Sequence, residues 1–128
     1  MPTPMPANRN FYSPDVYQRL VQRYRGVAPD QERQQWLLLE AAHVVGQTRF
    51  GPHLQVHCLM LSLAWEKRML REVLGQLFRI ALVPLGHLLK RLPSGNSGRA
   101  DISAFRAMAP SNEVRQVIAE AKAAKFPH

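Results

Sequence analysis

Within eighteen residues, EAAHVVGQTRFGPHLQVH at 40–57, stand a glutamate and three of the chain's five histidines: Glu40, His43, His53 and His57. Imidazole nitrogens and carboxylate oxygens together suit Zn(II) or Fe(II). Glu40 and His43 are three apart, and His53 and His57 four apart, so on helices each pair shares a face. The segment Gly46 to Gly51 between them reads as a tight turn. In an antiparallel hairpin His43 and His53 lie at similar distances from that turn, and Glu40 and His57 form the next level. All four converge, which predicts one zinc or ferrous ion held by Glu40, His43, His53 and His57. The same residues fit a second reading, a buried polar network in which the histidines serve the helix ends and Glu40 accepts from one of them. The sequence weighs the two equally.

Other candidates are set aside by spacing. Glu66 lies roughly two and a half turns beyond His57, and His87 and His128 have no partner at ligand spacing, so His87 reads as a face residue and His128 as tail. Cys58 points about 100° away from His57 on a helix and reads as a buried structural thiol. Ser62, Ser103 and Cys58 have no base arranged near them, so hydrolase chemistry is unsupported and a non-catalytic role is expected. The GNSG stretch at 95–98, with Lys90, Arg91 and Arg99 alongside, lacks the lysine-serine ending and preceding strand of a phosphate loop and reads as a turn.

The elements that must position these residues are helical. The chain of 128 residues suits one domain, 13–128, after a disordered extension at 1–12 that contains MPTPMPANRN. Ser13-Pro14-Asp15 starts a first helix with Val16, Leu20, Val21 and Tyr24 on one face, closed by Gly26. Pro29-Asp30 opens a second that stops at Gly46, and Pro52 begins a third, whose apolar run LQVHCLMLSLAW predicts the central and most buried element. EKRM is a break. A fourth helix carries Leu70, Val73, Leu74, Leu77, Phe78, Ala81, Leu85 and Leu88 at helical spacing, with Pro84 kinking or splitting it. LPSGNSG is loop, ISAFRAM is irregular, and Pro110-Ser111-Asn112-Glu113 caps a fifth helix with Val114, Val117, Ile118 and Ala121 on one face. No strand pair is evident. The expected fold is all-α, five helices packed as antiparallel hairpins.

Seventeen Lys and Arg against nine Asp and Glu give a net charge of +8, which attracts nucleic acid, anionic membrane or acidic protein in general. The cations are dispersed, with Arg19, Arg23 and Arg25 on the first helix and Lys67, Arg68 and Arg71 at a junction, as on solvated faces. The competing functional reading is a helical adaptor that binds a protein or nucleic acid through this basic surface. A single cysteine and the absence of an export signal predict a reducing, cytoplasmic setting. The apolar stretches 54–65 and 77–89 fall short of the roughly 20 residues of a spanning helix, so no transmembrane segment is expected. LFRIALVPLGHLLKRL suits core packing, a membrane surface or a partner helix, and its aliphatic surplus suits a homodimer.

The combination of E-x-x-H-V-x-G-Q at 40–47, His53-x-x-x-His57 followed by Met60-Leu61, R-E-V-x-G-Q-x-x-R at 71–79, P-x-G-N-S-G at 93–98 and S-A-F-R-x-M at 103–108 resembles domain-of-unknown-function family 3703. The resemblance covers about residues 35–120. It implies a short, mostly helical bacterial protein, carries over Glu40, His43, His53 and His57 as the positions of the histidine motif, and brings no activity with it.

Overall fold

A computed structural model describes residues 12–89 and 110–124. The expected extension at 1–12 apart from Tyr12, the LPSGNSG loop with its neighbouring cations, ISAFRAM and His128 lie outside the described residues. Five helices follow one another: α1 Pro14–Gly26, α2 Glu32–Gly46, α3 Phe50–Glu66, α4 Leu70–Leu89 and α5 Asn112–Ala123. No strand occurs among the described residues.

The helix starts follow local chemistry. Ser13 accepts from the Val16 amide at 3.4 Å, with Pro14 and Asp15 in the first turn of α1. Ser111 accepts from the Val114 amide at 3.2 Å and opens α5. Elsewhere the boundaries shift. Pro29-Asp30 forms a turn and α2 begins only at Glu32. The α2–α3 turn is shorter than expected, Gln47 to Arg49, because α3 starts two residues before Pro52. The EKRM break is a Schellman-type close: the Met69 amide donates to Ala64 O at 2.9 Å and the Arg68 amide to Trp65 O at 3.1 Å. Arg68 takes the left-handed position of that motif, φ 56°.

The central element is α2, which packs against α1, α3 and α5, whereas α4 packs mainly on α3. This corrects the expectation that α3 is the most buried helix. Only the face of α3 bearing His53, Val56, His57, Met60, Leu63 and Ala64 is buried. The run LQVHCLMLSLAW is apolar all round, but its surplus looks outward: Cys58 is exposed, not buried, and Trp65 is 69% exposed. The core joins Leu20 of α1, Leu38 and Leu39 of α2, Met60 and Leu63 of α3, and Val114 and Val117 of α5. Arg19 of α1 donates to Ala121 O at 2.6 Å, tying α5 to the N-terminal hairpin.

Helix α4 departs furthest from its sequence pattern. It runs unbroken for 20 residues through Pro84, long and apolar enough by length and composition to cross a membrane. Of the predicted buried face, Leu70 to Leu88, all but Val73 looks outward. The helix buries Glu72, Val73, Gln76, Arg79 and Val83, with Gln76 reaching His57 of α3.

Candidate metal centre

The hairpin of α2 and α3 is drawn tight at its turn. A Cβ on Gly46 would stand 3.0 Å from Tyr17 Cε2 and 3.1 Å from Pro52 Cβ, so only glycine lets the α1 ring and the start of α3 approach this closely. The Tyr17 hydroxyl donates into the start of α3, where Pro52 O lies at 3.1 Å and Gln55 Oε1 also lies within reach. Burial pushes its pKa up, keeping the phenol a donor.

On this hairpin His43, His53 and His57 are all buried, and their ligand atoms lie within 4.8 Å of one another. His43 Nε2 stands 3.2 Å from His53 Nε2, and His57 Nε2 stands 3.1 Å from the same atom. Glu40 is placed apart. It is half-buried and lines a groove with Glu32, Arg33, Trp36, Leu37, Ser111 and Glu113 on the α5 side of α2.

Two further partners come from α4. His87, read from sequence as a face residue, places its Nε2 3.0 Å from His53 Nδ1 and is thereby part of the cluster. Gln76 Oε1 lies 2.7 Å from His57 Nδ1, while Gln76 Nε2 donates to Glu72 Oε1 at 3.1 Å. The order of these bonds fixes a tautomer. A carboxylate only accepts, so Glu72 takes the amide nitrogen of Gln76 and turns the amide oxygen toward His57. That oxygen also only accepts, so the His57 proton sits on Nδ1 and Nε2 presents a lone pair to the cluster.

Electrostatics keep the rings neutral. Burial, followed by the neighbouring His57 and His87, lowers His53 from 6.5 to about 3. For His57 burial again dominates; the Gln76 hydrogen bond opposes it and the Arg79 charge adds to it, leaving a value of about 4. His87, less enclosed, is lowered by burial alone. At neutral pH His53 and His57 are therefore uncharged imidazoles, the form that binds metal.

Nitrogens bound at 2.0–2.1 Å to a tetrahedral zinc ion stand roughly 3.3 Å apart. The 3.1 and 3.2 Å separations come close to that edge. With protons alone the centre is less well served. A single proton on His53 Nε2 can satisfy one of its two neighbours well, whereas a cation among the three nitrogens engages all of them.

Sequence reasoning missed Glu72, Gln76, Arg79 and His87. Their signal was present as polar residues at i, i+4, i+7 and i+15 on an otherwise aliphatic helix, which mark one arc at 100° per residue.

A helical hairpin carrying a buried three-histidine cluster, braced by a polar arc on the following helix, defines an all-α protein able in its chemistry to hold a metal ion. The chain belongs to the family described as "Protein of unknown function (DUF3703)", which it matches over residues 13–118. The match confirms the resemblance drawn from residues 35–120 and extends it through α1. No curated protein and no solved structure matches the chain significantly.

Proposed function

We propose that this protein binds one transition-metal ion, zinc or ferrous iron, through Nε2 of His43, His53 and His57. The observation that carries the reading is the convergence of three buried imidazoles whose ligand atoms lie within 4.8 Å of one another, His53 Nε2 standing 3.2 and 3.1 Å from the Nε2 atoms of His43 and His57. Gln76 and Glu72 act behind His57 as orienting partners, the arrangement that metal-bound histidines ordinarily require. Three nitrogens leave a coordination position for water or a small ligand, compatible with storage, sensing or activation of a bound molecule. Glu40 has no part in this reading.

Elemental analysis and titration of the untagged, chelator-treated chain test it. The wild type is expected to take up one equivalent of zinc or ferrous iron, Glu40→Ala to retain it, and His53→Ala/His57→Ala to lose affinity by at least two orders of magnitude. Equal binding by the double variant, or no uptake by the wild type, would return the cluster to a purely structural polar network.

A further inference from the structure

The outer face of α4 is the least explained surface of the molecule. Leu70, Leu74, Leu77, Phe78, Leu85 and Leu88 are between 49 and 78% exposed. Arg71 is the single charged residue among the exposed positions of this helix. Together the side chains present on the order of 800 Å² of apolar surface, at or beyond the largest patch of a typical monomer and about what each partner contributes to a standard interface.

The spacing of the stripe indicates what covers it. Leu70, Leu74, Leu77, Ala81, Pro84 and Leu88 follow steps of four and three, the repeat of a seam that meets another helix. Read in the opposite direction the seam complements itself: Leu70 meets Leu88, Leu74 meets Pro84, and Leu77 meets the small Ala81. A parallel arrangement would set the two Arg71 guanidinium groups side by side and Leu77 against Leu77, with Ala81 against Ala81 as a gap. An interface that uses the same patch on both subunits closes at two copies.

We propose that the outer face of α4 pairs antiparallel with the same face of a second copy of this chain, forming a twofold dimer centred between Leu77 and Ala81. The inference stands apart from the metal reading, because the histidine cluster lies behind the opposite arc of the helix. A metal-free dimer and a metal-binding monomer are thus distinguishable outcomes.

Light scattering on the full chain at tens of micromolar is expected to give twice the 14.6 kDa of one chain. Leu74→Glu/Leu77→Glu, which alters only exposed positions, is expected to give 14.6 kDa with an unchanged helical circular dichroism spectrum. Should that variant misfold, Leu88→Lys serves the same purpose at the most exposed position. With Cys58→Ser in the background, Leu70→Cys/Leu88→Cys is expected to form a disulfide-linked dimer under mild oxidation, and Leu70→Cys alone to link far less. A monomeric wild type would overturn the proposal, as would a dimer indifferent to these charges or a Leu70→Cys variant that links as well as the double one. A monomer that floats with phosphatidylcholine/phosphatidylglycerol vesicles through this face would assign the stripe to a lipid surface and likewise overturn it.

Discussion

The two faces of α4 are arranged in reverse of an ordinary surface helix. Its inward arc holds Glu72, Gln76, Arg79 and His87, and its outward arc is leucine and phenylalanine. Burying a carboxylate and a guanidinium is costly unless each is partnered, so the inner arc depends on the groups it meets. The His57–Gln76–Glu72 chain links it to the histidine cluster. The outer arc carries the apolar surface that would normally face a core. The difference teaches that hydrophobic periodicity locates a face without saying whether the chain's own core or something else will cover it.

Breaking the inner arc should have the largest effect. Glu72→Ala leaves the buried Gln76 amide without its acceptor, and is expected to lower stability by about 3 kcal/mol in denaturant titration. Acid acts on the same side. His53 and His57 are held at about 3 and 4 in the folded chain, against 6.5 when unfolded. The unfolded chain therefore binds protons first as pH falls below 6.5, and the stabilisation present above that value drains away toward pH 3–4. The expected slope in metal-free protein approaches about 1.4 kcal/mol per pH unit for each histidine, measurable as a falling denaturation midpoint between pH 6.5 and 4.5. Next in size is Gln76→Leu, which keeps the volume but removes the acceptor that fixes the His57 tautomer. Metal affinity is expected to drop about 10–100-fold, as read by competition with a chromophoric chelator. The outer arc gives the smallest response: Leu88→Lys, at a 78% exposed position, is expected to change the stability of the dilute chain by less than about 0.5 kcal/mol.

Much of this was legible in the sequence. Five helices, their caps at Ser13 and Ser111, and a hairpin that brings His43, His53 and His57 together follow from local rules of capping, turn residues and helical spacing. Non-local choices were not legible. Glu40 and His43 share a face by spacing, yet Glu40 lines a groove shared with the start of α5. His87 lacked a partner along the chain because its partner is supplied by packing α4 on α3. The outward turn of the α4 leucines was likewise set by packing on a neighbouring helix, where Gln76 and His87 meet His57 and His53, and not by the pattern of α4 itself.

The α2–α3 hairpin also has a bearing on the order of events during folding. Its three imidazoles come from positions 43 to 57, so bringing them together closes a loop of about ten residues, a matter of roughly 10–100 ns for a free chain and a small entropic penalty. The groups that orient them, Gln76 and His87, arrive from positions 19 and 34 residues further along than their partners. Gathering of the nitrogens is thus a local event and their alignment a later, tertiary one. An ion meeting the nascent hairpin would find donors assembled before they are aimed, and its hold would tighten only as α4 docks.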